Sequence, residues 1–469
     1  MKRVIILGAG LAGLSCAYHL KKDYLIFEKE NRPGGLCRSV YINAGFTPLE
    51  NTPFLTEFIF DYTGHLLHLH QSYTKRLLFQ FLGKNLKKIK RSSWIYFRQK
   101  YVPYPFQANL WALPEKIRNE CLKGLFRSPA HPLTRSPASF HDWCLSNYGK
   151  GISKYFFFPY NEKIWLRSLR EITTDWVNPF IPQISKEEII EGAKGKIKKN
   201  FGYNAYFYYP RKGGIQSLID VLEKKIRNIH LNSEIKKIDW RKKKIIFAND
   251  TSAIYSYLVS TIPLPELLNC LENPPGEIKE ARDKLFWTSV LCINLGIKRH
   301  QSPVTPARHD LAGGSHQPPI KNCHWIYFPE KEFIFYRVGF YTNFSSTMAP
   351  KNCSSLYIEI AYRPEEKLNE EKIIAWVKKD LIRCKILNIK DRILVTNILP
   401  IPYAYVVYDK NRNCVLKVIE KFFRQNDIFS VGRYGAWKYS FMEESILDGK
   451  STAEKINESV KSLKLKVES

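Results

Sequence analysis

A chain of 469 residues with 44% hydrophobic content is long enough to bury a large core, and its length favours two or three domains over one. The net charge of +29, from 73 basic and 44 acidic residues, suits an anionic partner, but it is spread along the chain, densest at Lys194 to Lys199 and Arg241 to Lys244; no zinc-finger, RNA-recognition or basic-zipper pattern goes with it, so a solvated basic surface is expected and nucleic acid is not. Ten cysteines without a CxxC pair exclude a zinc site or a dense disulfide framework and predict reduced thiols in a cytoplasmic protein, and without an apolar run of about 18 residues no membrane span is expected.

The opening MKRVIILGAGLAGLSC mimics a signal peptide, but three glycines interrupt its apolar run and a second apolar segment ends on Glu28. Arg3 to Leu7 predicts a short buried parallel strand. Gly8 to Gly13 then opens a helical pattern through Tyr18 and Leu20, and Tyr24 to Phe27 forms a second strand. This is the context a dinucleotide fingerprint requires. Gly8 makes the tight turn, Gly10 lets the backbone approach a pyrophosphate, and Gly13 lets the helix pack close to the strand. The helix amino terminus faces the phosphates, and Glu28 can accept hydrogen bonds from a ribose hydroxyl. The following Arg32-Pro33-Gly34-Gly35, with Arg38 close behind, looks like the FAD-binding families related to amine oxidases rather than the nicotinamide dehydrogenases.

From about Leu110 to Glu191 the pattern is mostly helical, with Ser139 and Thr173 or Thr174 as caps. Strands are expected at Ile229 to Leu231, Ile235 to Ile238, Lys244 to Phe247 and Tyr255 to Ser260, the last running into Thr261-Ile262-Pro263. A second strand-rich stretch, aromatic and β-branched as in an antiparallel sheet, covers Val290 to Leu295, His324 to Phe328, Phe333 to Phe340 and Ser355 to Tyr362. Between them, Gln301 to Lys321 is expected as a long loop whose His309 and His316 are polar rather than metal ligands. Near the end, a strand at Ile428 to Val431, the turn Gly432-Arg433-Tyr434-Gly435 and a helix from Met442 to Lys455 would return the chain to a flavin. There Gly432 permits close approach, Met442 opens the helix, and Arg433 stabilises an anionic reduced ring.

The fold class expected is α/β: a split Rossmann-like FAD-binding domain (1–100, 201–270 and 416–469) with a helical insertion (101–200) and an antiparallel β-sheet domain (271–415). Substrate is expected between the three parts.

These pieces resemble the UDP-galactopyranose mutases nearly end to end and in family order: the GxGxxG start, Gly64-His65, Val102-Pro-Tyr104-Pro-Phe-Gln107, Pro159-Tyr160-Asn161-Glu-Lys-Ile-Trp165, Tyr209-Pro-Arg-Lys-Gly213-Gly214, Trp325-Ile-Tyr327-Phe-Pro, Phe335-Tyr336-Arg337 and Gly432-Arg433. The resemblance implies an intramolecular transferase that interconverts pyranose and furanose forms of a nucleotide-linked sugar through a sugar adduct on N5 of reduced FAD, for cell-surface glycan synthesis. NAD(P)H is the candidate reductant, and homo-oligomeric assembly is left open. It further implies roles for single residues. His65, after Gly64, hydrogen-bonds the reduced ring; Gln107 meets a uracil edge; Tyr104, Tyr160 and Trp165 offer ring faces and Asn161 polar contacts. Arg167 and Arg337 clamp diphosphate, with Tyr206, Tyr327 and Tyr405 as hydroxyl donors. Arg337 also stands out by itself, because an arginine in the apolar run Phe333 to Phe340 requires an anion or strong acceptor nearby.

Two departures from the family bear on the substrate. The diphosphate arginine stands two residues after the Trp, as in bacterial members, while the layout otherwise follows the longer eukaryotic type, whose arginine would fall near Phe180. Tyr405-Val406 replaces the usual Tyr-Pro. The competing readings are a flavin oxidase or dehydrogenase acting on an amine, porphyrin or polyene, and a basic scaffold that keeps FAD for stability alone.

Overall fold

In a computed structural model, residues 3–44, 57–126, 139–195, 197, 199–300 and 318–465 are described. His309 and His316 lie outside them. The first four-residue strand, Val4–Leu7, is buried along its whole length, as a strand covered on both faces must be. It lies at the centre of a five-stranded parallel sheet, between Tyr24–Phe27 on one side and Tyr257–Ser260 on the other; Ile229–His230 and Ile428–Ser430 form the edges. Three distant parts of the chain thus build one sheet. The helix Leu11–His19 leaves the first strand and packs along the carboxy-terminal helix Met442–Leu465.

The second large sheet has seven strands in the order Arg392–Val406, Trp287–Lys298, Cys353–Tyr362, Arg337–Phe340, Trp325–Tyr327, Ser93–Phe97 and Lys100–Pro103. All neighbours are antiparallel except Trp325–Tyr327 and Ser93–Phe97. Both edges depart from the sequence expectation. Arg392–Val406 holds Pro400 and Pro402, residues that argue against a strand but are tolerated at a sheet edge, where an N–H would face away from the ladder. At the other edge, residues up to 100 were expected with the flavin-binding domain, yet Ser93–Phe97 and Lys100–Pro103 form a hairpin of the large sheet. Its turn residues Arg98 and Gln99 both have positive φ, 48° and 61°, the geometry that usually announces itself as Asn-Gly. Of Phe333 to Phe340, only Arg337–Phe340 is strand; Phe333 and Phe335 are buried core side chains just before it.

The helical insertion comprises Glu115–Phe126, Phe140–Ile152, Phe158–Trp165 and Lys186–Ala193. Ser139 caps the second of these, its hydroxyl accepting from the Asp142 amide at 3.2 Å. No helix among the described residues is long and apolar enough to cross a membrane.

The helix–helix contact over the first strand depends on missing side chains. A Cβ at Gly449 would strike the Ala12 carbonyl and lie 2.7 Å from the Cys16 nitrogen. The overpacking cost of about 1–3 kcal/mol exceeds the ~1 kcal/mol that alanine gains over glycine in a helix. Gly449→Ala is therefore expected to lower the thermal midpoint, while Gly276→Ala, at the first residue of the helix Gly276–Asp283 and with nothing within 4 Å of a Cβ, leaves it unchanged or slightly raised; thermal denaturation of the two variants checks this.

Candidate functional site

A cavity of about 910 Å³ runs from the first βαβ unit to the large sheet, walled by the helical insertion. At one end Gly8, with φ +93°, turns the chain beneath Thr261, and a Cβ at Gly13 would collide with the Gly8 carbonyl. Gly10 lines the cavity, whereas Gly13 lies beneath it and serves the helix–strand contact. Glu28 closes the second strand. Its carboxylate accepts the Ala9 amide at 2.7 Å and the Glu30 amide at 3.1 Å, which aims a fixed negative charge into the cavity end where a ribose would lie. Gly35 and Arg38 line the same end, and Arg38 is pinned by the Gly35 carbonyl at 2.7 Å and by Glu30 at 3.7 Å. Gly432 has φ +81°, and a Cβ there would press on Ala12 at 2.8 Å, so only a glycine lets this turn reach the fingerprint helix. The neighbouring Arg433 donates to the carbonyls of Ser440 (2.8 Å) and Ala404 (2.9 Å) and lies over the Tyr439 ring. Met442 receives the Cys37 thiol at 3.4 Å. Gly8, Gly10, Glu28 and Gly432 thus have the geometry to hold a dinucleotide, with Arg433 as the cation beside it.

His65 lines the cavity next to Gly64, where a Cβ would stand 2.6 Å from the Tyr357 hydroxyl. Its Nδ1 is buried and lacks a protein partner. Burial, then the Arg433 charge, push its pKa down to about 4 against the upward pull of the Thr63 and Tyr62 backbone, so the imidazole is neutral at pH 7.

The far wall carries most of the expected substrate contacts. The rings of Tyr104 and Tyr327 lie 4.9 Å apart, Tyr160 meets Tyr327 edge-on at 5.2 Å, and Trp165 meets Tyr405 at 6.0 Å. Gln107 spends its amide nitrogen on the Pro182 carbonyl at 3.4 Å and keeps a buried, unpartnered Oε1. Asn161 spends its own on the Phe157 carbonyl at 2.8 Å. The helix bearing Tyr160, Asn161 and Trp165 is tied to the sheet by Lys163, whose ammonium donates to the carbonyls of Phe328, Glu330 and Phe335 at 2.7–2.9 Å. Burial lowers that lysine's pKa to about 7.

Three expected residues behave differently. Leu166 adopts a left-handed conformation (φ 51°), which ends the helix and turns Arg167 out of the cavity, to an ion pair with Glu171 at 3.4 Å and the face of Phe286. Tyr206 is 45% exposed and sits under Lys88 outside the cavity. Arg337 does line it, but the anion it requires is already supplied. Glu359, 1% exposed, grips its Nε and Nη2 in a two-pronged ion pair, leaving Nη1 to donate. The same rule that singled out Arg337 applies to Glu359, an acid in the apolar run Leu356 to Ala361. Sequence also left unassigned an aromatic wall of Phe180, Tyr203, Tyr439 and Phe441, with ring centroids 4.0–4.7 Å apart for Phe180–Tyr439, Tyr203–Phe441 and Phe180–Phe441. Two of its members directly follow the Gly432-Arg433 turn, which was the available signal.

The chain is similar to several known flavoproteins. A curated relative, coproporphyrinogen III oxidase of Staphylococcus aureus (strain NCTC 8325 / PS 47), is 25% identical over 309 residues, 59% of this chain. The match spans 63% of that relative's length. Among solved structures, reduced UDP-galactopyranose mutase superposes with a TM-score of 0.87 at 27% identity, covering 97% of this chain and 95% of its own. A putative protoporphyrinogen oxidase from Exiguobacterium sp. 255-15, at 15% identity over 98% of this chain and 99% of its own, shares the fold with a TM-score of 0.70. The model of the flavin containing amine oxidoreductases matches residues 11–457, and the chain belongs to that family.

Proposed function

We propose that the protein is an FAD-dependent nucleotide-sugar mutase that converts a UDP-hexopyranose, UDP-galactopyranose first among them, into its furanose form. The observation carrying this reading is that Gln107, Tyr104, Tyr160, Trp165, Tyr327, Tyr405 and Arg337 line one cavity together with His65 and Arg433. It is joined by 27% identity to a UDP-galactopyranose mutase across nearly the whole chain.

Reduced FAD, when bound, supplies the nucleophile for the anomeric carbon. The rest is the work of the chain's own groups. Neutral His65 would offer a ring nitrogen to the bound flavin, and Arg433, held by the Ser440 and Ala404 carbonyls, would stabilise the negative charge of its reduced form. Arg337 donates Nη1 to the diphosphate that leaves, joined by the hydroxyls of Tyr327 and Tyr405. Gln107 accepts from a uracil N–H through its free Oε1, between the aromatic faces of Tyr104 and Tyr160. Gln107 and Tyr327 are buried and the other groups half-buried along the cavity, which limits the water that can intercept the sugar.

A second reading, a flavin oxidoreductase acting on an apolar ring system, has an observation in its favour. With Arg167 outside and Glu359 neutralising Arg337, the cavity holds less free positive charge than a two-arginine diphosphate clamp, and Phe180 and its aromatic neighbours stand where a second arginine would reach. The two readings separate in one assay. Dithionite-reduced protein given UDP-galactopyranose is expected to yield the furanose by chromatography. Neither product nor UDP binding, with oxygen consumed on a porphyrinogen instead, would decide for the oxidoreductase.

Arg337→Ala is a poor probe, because it leaves the Glu359 carboxylate buried and alone at a cost of about 3–5 kcal/mol. Arg337→Met/Glu359→Gln removes both charges. It is expected to keep its fold and flavin spectrum while losing about 100-fold in kcat/KM for the nucleotide sugar; unchanged turnover would remove Arg337 from the site.

The depressed His65 also sets an acid limb. The folded state refuses a proton that the unfolded chain accepts below pH 6.5, so stability falls as pH drops from there to about 4, by roughly 3 kcal/mol. Buried His68 and His324, held down to about 3 and about 4, act in the same sense. Buried Asp61, raised to about 6, acts in the opposite one. Urea midpoints at pH 7.5 and 5 are expected to differ less for His65→Gln than for the wild type, a comparison in which the other three groups cancel.

A further inference from the structure

The net charge is more concentrated than its runs suggest. Between Asp61 and Glu115 the chain has nine lysines and arginines and no carboxylate, and between Glu191 and Asp220 it has six and none. The fold pairs these two acid-free segments. Leu86–Lys90 from the first is hydrogen-bonded to Tyr206–Pro210 from the second, with Lys88 opposite Tyr208 and Lys90 opposite Tyr206. Cross-strand partners and residues two apart share a face. That face therefore bears Lys88, Lys90 and Tyr206, with the Lys88 ammonium 4.6 Å from the Tyr206 ring centroid.

The helix Ser72–Leu82 extends the same face, since Phe79 meets the Tyr208 ring edge-on at 5.6 Å. Lys75 and Arg76 stand four and three residues before Phe79, on its side of the helix. Arg211 donates to the Lys84 carbonyl at 3.1 Å, closing the patch at the turn between helix and strand. Lys75, Arg76, Lys84, Lys88, Lys90 and Arg211 are all exposed, and none takes part in an ion pair among the described residues. Phe79 and Tyr206 are 41% and 45% exposed among them.

From this we infer that the face is a docking surface for an anionic phospholipid bilayer. Long-stemmed cations attract acidic headgroups within a Debye length. Exposed Phe and Tyr rings beside them suit the headgroup–acyl boundary. Four of the six cations are lysines, point charges that fit a diffuse lipid surface better than the forked phosphate contacts typical of nucleic-acid readers. Because no helix among the described residues is long and apolar enough to cross a membrane, the attachment is peripheral and salt-sensitive.

The test is co-sedimentation of the flavin-loaded full chain with phosphatidylcholine vesicles, with and without about one third phosphatidylserine. Binding is expected only with the acidic lipid, and release at about 0.5 M salt. Lys88→Gln/Lys90→Gln should bind about 25-fold more weakly, about fivefold per lysine, with an unchanged thermal midpoint. Lys75→Gln/Arg76→Gln, on a different element, repeats the test should the first variant misfold. Phe79→Ser should weaken binding without altering its salt dependence. Equal binding to neutral vesicles, wild-type binding by the folded charge variants, or displacement of vesicles by a duplex oligonucleotide would each overturn the assignment.

Discussion

Everything in this structure hangs on how closely backbones approach around the first strand. Gly13 allows the fingerprint helix to sit on the Gly8 carbonyl, Gly432 allows the carboxy-terminal turn to touch Ala12, and Gly449 lets the last helix lie against the same segment. These contacts join the first and last parts of a 469-residue chain into one wall, and the parallel sheet they cover takes strands from three regions. A side chain at any of the three positions would push the walls apart. The cavity would then lose the registration between Glu28 and Arg433, and the large sheet, which carries Arg337, would face a differently placed partner.

The second constraint is the Arg337–Glu359 pair on neighbouring strands of that sheet. A half-buried guanidinium among aromatics is costly unless its charge is met, and here it is met from within the protein. Its position is therefore set before any ligand arrives, with one donor nitrogen left over. That favours a preorganised contact over a flexible one. Under the function proposed above it would also dilute the positive charge offered to a diphosphate, and the tyrosine hydroxyls around it would take a larger share of anion recognition than they would beside two free arginines.

Legibility in the sequence followed the range of the interactions. The turn at Gly8, the acid at the end of the second strand and the cap at Ser139 are local, and each could be read from residues within one turn or one strand of it. Arg167 was misplaced by a single left-handed residue, Leu166, since leucine gives no hint of positive φ. The strand Arg392–Val406 was hidden by its prolines, whose tolerance depends on an edge position that only the assembled sheet defines. The partner of Arg337 lay 22 residues away on an adjacent strand, beyond what spacing reveals, although the need for such a partner was plain. The aromatic wall is assembled from Phe180, Tyr203, Tyr439 and Phe441, three separate parts of the chain, and no local pattern joins them.

The carboxylate-free stretch from residue 62 to 114 ties the interior to the surface. Its inward side chains include His65, Tyr104 and Gln107, and its outward ones include Lys88 and Lys90. Inside, an acid among these residues would repel a reduced flavin and, under the proposed function, a nucleotide diphosphate, and would need a buried partner of its own. Outside, an acid would cancel the attraction of the lysines for acidic headgroups, at no cost to folding. Interior chemistry alone thus explains only the inward half of the pattern. The outward half is unconstrained by the fold, and its persistence through an exposed helix, a turn and a strand is what a surface that meets anions requires.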